Sequence, residues 1–376
     1  METGLEHNKE GRQEMKRMNF FASMLVLWMV FMSCEHKELC YDHDLHAHYV
    51  RVYVDENLLN VTHGFYNEDY VRPTYNSPQI LRLILSDTET GRAVAERFLR
   101  TIGRDKRGVY YEGHIVASPG RYSLMAYNYD TETTRVKDYA NLSTAKAYTN
   151  EIATHLYARI PSRTMVDDYD EAERITYEPD HLFAANCGNV IVPAHADAVD
   201  TLTNTDGDYF TAKSIVRSFY LQIQVKGMQY ATSSVGLLTG MSGSSWVNGS
   251  GMDLKDNVTV FFEMQPGENK ATGLLRRGTD ENSTMTLYTT FSTFGKLPDR
   301  ENNLEITFDF LTTYGKPYSE TINITDLFFT PEAQQHQWLL IDHTITIPEP
   351  PAGQGGEGGL NPGVDDWKDI ETDITI

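Results

Sequence analysis

Residues 304–311 read Leu-Glu-Ile-Thr-Phe-Asp-Phe-Leu and carry the clearest structural pattern in the chain. The apolar side chains of Leu304, Ile306, Phe308 and Phe310 recur at every second position. Successive side chains of a β-strand point to opposite faces, so a period of two predicts a strand with one buried face. This stretch therefore predicts a sheet that covers an apolar core.

The same alternation recurs along most of the chain. In residues 49–55, Val50, Val52 and Val54 share one face, which again predicts a half-buried strand. One helix is predicted over residues 143–158, because Ala145, Tyr148, Ile152 and Leu156 have helical spacing. Further strands are predicted over residues 80–85, 109–116, 122–127, 182–184, 190–192, 215–225, 259–262, 286–294, 322–324 and 338–347.

Short strands separated by turn residues, with almost no helix, are typical of β-sandwiches. The sequence therefore predicts an all-β protein of two tandem sandwich domains with minor helix. The predicted domains cover residues 49–195 and 196–347, with small polar residues at 194–209 marking the boundary. A Gly/Ser loop is predicted over residues 240–251, and a Gly/Pro linker with a terminal strand over residues 348–376.

The N-terminal part resembles a bacterial lipoprotein signal. Lys16 and Arg17 precede an apolar run at residues 20–33, and Cys34 follows directly after it. That run is roughly 14 residues, shorter than the ~20 that cross a bilayer as a helix. We predict a signal peptide over residues 1–33, with the part before Met15 an upstream start artefact, and lipid on Cys34. An ordinary signal cut near Ser33 and an uncleaved membrane anchor are the alternatives.

The chain is acidic, with 53 Asp and Glu against 32 Lys and Arg and a formal net charge of -21. Residues 1–33 contain four of each sign, so the predicted mature part carries the whole imbalance. Such a surface repels nucleic acid and anionic headgroups, so neither is expected as a partner. After export, we expect the protein at the cell outer membrane, lipid-anchored and surface-exposed.

Residues 34–48 are polar and contain His36, His43, His46 and His48 together with Cys40. These are metal-ligand types, but no helical i, i+4 pair in an apolar context would make them converge. A solvated spacer is the favoured interpretation, and no metal or cofactor is predicted. Cys40 and Cys187 could form one disulfide, although two incidental thiols are the favoured interpretation.

The sequence contains no motif that indicates catalysis, so a non-enzymatic protein is predicted. It has no P-loop, no His-Glu-x-x-His and no dinucleotide fingerprint. Residues 167–171 are acidic but lack the glycine that a calcium loop needs at its sharp turn, which favours a solvated loop. Carboxylate pairs suited to glycosidase chemistry remain open, because nothing singles out one pair among so many acids.

Three stretches resemble a lipoprotein family of gut Bacteroidota related to fimbrillin-type pilins and their anchor and tip subunits. They are residues 34–43 after the signal, residues 119–122 together with 126–130, and the terminal residues 367–376. The resemblance implies two transthyretin-like, Greek-key sandwiches and a structural role in fimbriae. It also implies assembly by strand donation. Stalk pilins mature by cleavage after an arginine near the first strand. In this sequence Arg51 and Arg72 are both candidates for such a cleavage site.

The C-terminus returns to a period of two after a glycine-rich linker. Ile370, Thr372, Ile374 and Ile376 share one face and follow Trp367, so we predict a donor or terminal strand there. A Gly-rich coil of the linker's length, roughly 18 residues, has an end-to-end distance of about 25 Å. The strand could therefore pair with an open sheet edge in its own chain or in a neighbour.

Two classes of function remain open at this stage. The favoured one is a structural fimbrial subunit, an anchor or tip accessory, whose partners are other fimbrial subunits and a surface glycan or protein. The alternative is a surface glycan-binding lipoprotein of a polysaccharide-uptake system. Its hallmark would be an exposed aromatic platform, for which the 22 tyrosines supply material.

Lipid attachment gives the first testable prediction. Cys34→Ala removes the thiol that would carry the acyl chains, so we expect loss of fatty-acid labelling and of recovery in the membrane fraction. Metabolic labelling followed by fractionation measures both. Continued label incorporation by the variant would contradict the assignment of Cys34.

Overall fold

The structure is a computed structural model that describes residues 47–56, 77–164, 174–194, 201–266, 284–298 and 304–351. All of them belong to one structural unit, Ala47–Ile376. Within these ranges, strands dominate and helices are few and short, which confirms the predicted all-β fold with minor helix. No helix in the described part is both long and apolar enough to cross a membrane.

The strands are numbered in chain order, and the short helices lie mainly in two places, after β8 and after β21. Helix α1 is Pro161–Thr164 and helix α2 is Pro331–His336. Turns of 3₁₀-helix cover Thr154–Arg159, Met228–Tyr230 and Thr325–Phe329. The strands are β1 Ala47–Val54, β2 Leu81–Asp87, β3 Ala93–Leu99, β4 Thr101–Asp105, β5 Gly108–Val116, β6 Gly120–Asn128, β7 Thr134–Lys137, β8 Lys146–Thr149, β9 Arg174–Tyr177, β10 Phe183–Val192, β11 Thr201–Leu202, β12 Phe210–Ser214, β13 Arg217–Lys226, β14 Ala231–Ser242, β15 Ser244–Trp246, β16 Gly251–Met252, β17 Asn257–Glu263, β18 Gln265–Pro266, β19 Thr284–Thr293, β20 Glu305–Thr312, β21 Pro317–Asn323 and β22 Trp338–Thr346.

The first half of the chain forms a nine-stranded sheet that folds around one apolar core. Its order is β3-β2-β6-β10-β12-β1-β5-β4, with β11 paired to β1. The bend is at β12, because Phe210–Ala212 pair with β1 whereas Lys213 and Ser214 pair with β10. Leu83 and Leu85 of β2 and Val50 and Val52 of β1 are fully buried in the core between the two flanks.

The second half forms two sheets that face each other across a separate core. One has the order β18-β19-β13-β22, and the other has the order β21-β20-β14-β17-β9. The residues that introduced the sequence pattern, Leu304, Ile306, Phe308 and Phe310, are all fully buried between these sheets. Burying one such side chain stabilises the fold by about 1.5–3 kcal/mol.

Short strands connect the two halves. β9 pairs in parallel with β17, and β8 pairs antiparallel with β15 in a small sheet of order β16-β15-β8-β7. That sheet covers part of the outer face of the first sheet, where Ile84 and Met125 are fully buried against it.

β11 and β12 come after the predicted boundary at residue 195, yet they pair with β1 and β10. The division at residue 195 stays a prediction.

The helix predicted over residues 143–158 is wrong. Residues Lys146–Thr149 form β8, and only Thr154–Arg159 are helical, as a 3₁₀ turn. Ala145, Ala147 and Thr149 are buried at every second position, which is the burial pattern of a strand. Pairing of β8 with β7 and β15 therefore outweighs the helical spacing of Tyr148, Ile152 and Leu156.

The Gly/Ser loop predicted over residues 240–251 is also largely wrong. β14 continues to Ser242, and β15 follows at Ser244. Ser242, Ser244 and Ser245 are buried rather than solvated, and their hydroxyls have partners inside the protein. Ser242 Oγ donates to Asp253 O at 2.8 Å, and Ser244 Oγ donates to Asp256 Oδ2. Small polar side chains here fill a tight layer between strands.

The aromatic stack in the second core gives a prediction about stability. Phe291 is fully buried, with its ring 4.6 Å from the Phe262 ring and 5.8 Å from the Phe219 ring. Phe291→Ala should lower the free energy of unfolding by about 3–5 kcal/mol, because it leaves a cavity. Phe329→Ala, at a ring that is 61% exposed, is the control and should change it by about 0.5 kcal/mol or less. Denaturant titration measures both, and equal losses would contradict this description of the core.

Candidate functional site

β21 is one of the two edge strands of its sheet, and with seven residues it is longer than β9, the strand at the other edge. Its seven residues pair with β20 from Glu305↔Asn323 to Leu311↔Pro317 without a register shift. Side chains along β21 alternate between exposed and half-buried positions. An edge strand presents a row of N–H and C=O groups to any further strand. Among the described residues, only β20 pairs with β21.

β22 is the edge of the opposite sheet, but it is irregular. It runs parallel to β13, and its register shifts between Gln222↔Leu340 and Gln224↔Thr344. Three residues of β22 therefore stand opposite one residue of β13, and Asp342 and His343 lie in this bulge. Bulges and charges are devices that discourage edge-to-edge pairing. Of the two neighbouring edges, β21 is the better template for an incoming strand.

A side-chain hydrogen bond connects the two edges. His343 Nε2 of β22 lies 2.5 Å from Glu320 Oε1 of β21, and Tyr318 donates its hydroxyl to Glu320 Oε2 at 2.8 Å. Burial, with the adjacent Glu320 carboxylate, raises the pKa of Tyr318 to about 12. The tyrosine thus remains a neutral donor that orients Glu320 along the edge.

The chain leaves the second sandwich close to the beginning of β21. Ile347 N donates to Lys226 O at 3.0 Å, and Pro348 O accepts from Tyr314 Oη at 3.0 Å. Tyr314 lies in the turn that connects β20 to β21. The segment after Pro348 therefore starts beside one end of the β21 edge.

Several residues singled out in the sequence lie outside the described residues. Cys34 and Cys40, His36, His43 and His46, the acidic run at 167–171, Arg72, and the terminal-strand residues Trp367, Ile370, Thr372, Ile374 and Ile376 are all in this group. His48 is described, and it is buried in β1, which begins at Ala47. Cys187 is half-buried in β10, where its Sγ lies 3.6 Å from Asn189 O.

Arg51 sits in the middle of β1, a strand that pairs on both sides. β5 pairs with β1 along one edge, where Arg51 is opposite Glu112, and β11 and β12 pair along the other. The Arg51 guanidinium donates to Glu112 Oε2 at 2.8 Å and lies 3.8 Å from the centre of the Tyr110 ring. A protease that cleaves after Arg51 would first have to separate β1 from its neighbours.

A second cluster of ionisable residues lies where the two halves meet. His181 Nδ1 is 3.1 Å from Ser214 Oγ, and its Nε2 is 2.9 Å from Ser218 Oγ. Ser218 Oγ in turn lies 2.9 Å from Ser292 Oγ, and the Ser292 N–H donates to Glu178 Oε2 at 2.9 Å. Ser218 is 3% exposed. A substrate could not reach that hydroxyl, so this network links β12, β13 and β19 to the segment between β9 and β10 rather than forming a nucleophile site.

Burial changes the proton affinity of both ionisable groups in this network. It lowers the pKa of His181 to about 4, so the imidazole is neutral near pH 7. Burial raises the pKa of Glu178 to about 7, and the negative charge of Asp180 adds to this effect. Within the described residues, no group of three or more His, Cys, Asp or Glu side chains is placed to bind a metal ion.

The fold defines a class of protein, an all-β protein built from packed β-sheets. A solved structure described as a "putative adhesin" from Bacteroides ovatus is 18% identical, with a TM-score of 0.51 over 85% of this chain and 98% of that one. That likeness shows a shared fold. The fimbrial anchor protein Mfa2 from Porphyromonas gingivalis is 11% identical, with a TM-score of 0.41 over 80% of this chain and 90% of that one.

Within that class, the chain belongs to the family described as "Domain of unknown function (DUF5119)", whose model matches residues 73–263, just over half of the 376. A curated relative from Bacteroides ovatus is named "Putative fimbrium anchoring subunit Fim4B". It is 24% identical over 269 residues, which cover 68% of this chain and 74% of the relative. These matches confirm the resemblance to fimbrillin-related proteins that the sequence predicted.

The Glu178–His181 network predicts opposite pH dependences for two variants. Between about pH 4 and 6.5, His181 takes up a proton only in the unfolded state, so its contribution to stability rises with pH. Between about pH 4.5 and 7, Glu178 holds a proton only in the folded state, so its contribution falls as pH rises. The two effects largely cancel in the native chain.

Glu178→Gln should therefore leave the His181 effect uncompensated, and stability should rise from pH 4.5 to 6.5. His181→Asn should leave the Glu178 effect, and stability should fall over the same range. Each slope can reach about 1.4 kcal/mol per pH unit. Denaturant titrations at several pH values measure them, and slopes of the same sign in both variants would contradict the assignment.

Proposed function

We propose that this protein is a structural subunit of a surface fimbrium, an anchor or tip accessory, with no enzymatic role. The observation that carries the proposal is the match over 269 residues to a relative named as a fimbrium anchoring subunit. The adhesin-like sandwich fold is consistent with it. Its partners would be other fimbrial subunits.

The proposal includes a lipid anchor on Cys34, which would hold the protein on the outer face of the outer membrane. The support for this anchor is the order of basic residues, short apolar run and cysteine in the sequence. A subunit fixed to the membrane at its N-terminus leaves its C-terminal sandwich available to the next subunit. This arrangement suits an anchor better than a stalk subunit.

Assembly would occur by strand addition at the β21 edge. β21 is regular along all seven residues, which corresponds to about 23 Å of strand. The chain leaves the sandwich beside the beginning of this edge. A Gly-rich segment of the linker's length reaches about 25 Å. The terminal residues 367–376 could therefore pair with β21 of the same chain, or with the corresponding edge of a neighbour.

Deletion of residues 366–376 tests the donor strand. If the strand pairs within its own chain, the isolated protein should lose thermal stability, because a covered edge becomes uncovered. If it pairs with a neighbour, thermal stability should remain while fimbrial assembly fails. Melting curves and electron microscopy of surface fimbriae measure the two outcomes. A deletion without effect on either one would rule out the donor strand.

Proline substitutions test the receiving edge in the same assays. In an antiparallel edge strand, successive N–H groups point alternately to the paired strand and to the open side. One of Glu320→Pro and Thr321→Pro should therefore keep the stability of the isolated chain but block strand addition. Glu320→Gln and Thr321→Ser keep both N–H groups and serve as matched controls. Normal assembly in the stable proline variant would exclude β21 as the receiving edge.

A second candidate function is capture of a glycan at the cell surface, as in a lipoprotein of a polysaccharide-uptake system. The observation that favours it is a pair of tyrosines, Tyr129 and Tyr139, which are 54% and 39% exposed at one pocket. Glycan capture and a fimbrial role are compatible, because adhesive fimbriae also need a ligand site.

A further inference from the structure

A pocket opens on the outer face of the first sheet, next to the small sheet that covers part of that face. Strands β2 and β6 supply its floor through Arg82 and Tyr127, and β7 and β8 supply one wall through Val136 and Tyr148. The cavity has a volume of about 410 Å³. This is within the range of about 300–1,000 Å³ that small-molecule sites have.

Arg82 is a buried cation at the floor of the pocket, with only 6% of the residue exposed. Its Nε donates to Glu96 Oε1 at 2.9 Å, and one terminal nitrogen donates to Glu96 Oε2 at 3.0 Å. The other terminal nitrogen donates to the Tyr127 hydroxyl at 3.1 Å. A bidentate pair with a carboxylate fixes the plane of the guanidinium.

That fixed plane positions the aromatic rings of the pocket. The Arg82 guanidinium carbon lies 3.7 Å from the centre of the Tyr139 ring and 5.4 Å from that of Tyr129. The Tyr129 ring also packs against Phe98, at 5.3 Å between ring centres. Cation–π contacts of this kind hold the rings in place before any ligand binds. Binding therefore does not have to restrict the motion of the rings again. Two exposed rings are thereby preorganised.

Hydrogen-bonding groups surround the rings. Arg135, Asn150, Tyr129 and Tyr148 line the pocket, and their side chains end in a guanidinium, an amide and two hydroxyls. None of these four groups hydrogen-bonds to another described residue. The lining residues include two arginines, and no Asp or Glu in the described part of the chain lines the pocket. In a protein of net charge -21, this is a locally non-acidic surface.

We propose that this pocket binds a saccharide unit of a glycan. A sugar ring has an apolar C–H face, which can stack on Tyr139 or Tyr129, and a rim of hydroxyls, which need donors and acceptors in one plane. The pocket offers both: fixed aromatic faces, and the amide of Asn150 with the guanidinium of Arg135. Arg135 also admits a sugar that carries a carboxylate. The proposal deepens the glycan-binding candidate and does not depend on strand donation.

Other ligand classes fit the pocket less well. An apolar molecule would leave the amide, guanidinium and hydroxyl groups of the rim without partners on desolvation, which is costly. A phosphate-rich ligand needs several converging cations, and the Arg82 charge is already paired with Glu96. A sugar uses the rings and the polar rim together.

The test is binding of the full exported chain, solubilised in detergent, to an array of immobilised glycans that contains neutral and uronic acid-containing polysaccharides. We expect binding to at least one polysaccharide and at least a tenfold loss of affinity in Tyr139→Ala and Tyr129→Ala. Tyr129→Phe should keep most of the affinity, because it keeps the stacking face. Tenfold corresponds to about 1.4 kcal/mol, a usual effect for removal of an aromatic anchor.

Phe329→Ala is the matched control, because Phe329 is also an exposed ring beside a cation, with Lys296 Nζ 4.8 Å from its centre. It should bind as the native chain does. Melting curves exclude unfolding of the tyrosine variants. Failure to bind any glycan, or binding that neither tyrosine variant weakens, would overturn the proposal. Fimbrial assembly should be normal in all these variants, so a failed sugar site and a failed fimbrial role give different results.

Discussion

The structure depends on the pairing of short strands from the middle of the chain with strands of the second half. β9 lies at the end of the β14–β17–β20 sheet, and β8 pairs with β15, so residues 146–177 are bound to a part of the chain about 100 residues later. The Lys146–Asp253 ion pair, at 2.5 Å, reinforces this connection beside the Trp246 ring. Long-range pairing of this kind is costly in loop entropy and must be offset by burial. The apolar cluster around Ile160, Val235 and Leu237 supplies that burial.

This connection also determines which surfaces remain open. The small sheet that contains β8 and β15 covers Ile84 and Met125 on the outer face of the first sheet, a face that an isolated sandwich would leave to solvent. The small sheet does not extend over the whole of this outer face, and the pocket lies next to it at Arg82. In the second half, helix α1 contacts β20 and β21, and Ser162 Oγ donates to Oδ2 of the buried Asp309 at 2.6 Å. Beside this contact, β21 keeps every second side chain exposed along its edge.

Alternation of apolar residues predicted four strands closely because each of them has one face on a core. β1, β2, β20 and β22 lie within two residues of their predicted bounds. β3 and β14 were not predicted, although β14 is a strand of twelve residues. β7, β8 and β9 were not predicted because four residues are too few to show a period. The helix error has the same cause. Residues 143–158 contain a four-residue strand followed by a 3₁₀ turn, and together their apolar residues have a helical spacing. Only the pairing with β15 distinguishes this arrangement from a single helix.

The candidate sites depend on contacts between residues that are far apart in the sequence, so the sequence pattern alone does not show them. One residue nevertheless indicated where the pocket would form. Arg82 is the charged residue in the apolar run of residues 80–85, and on a strand that is buried on both faces a cation needs partners. Those partners come from β3 and β6 and from the loop after β7, which are up to 57 positions away. Satisfying one buried charge therefore gathers a carboxylate and several tyrosines at one place. The same requirement that stabilises Arg82 in the sheet gives Tyr139 and Tyr129 fixed, exposed rings, so the pocket follows from the fold.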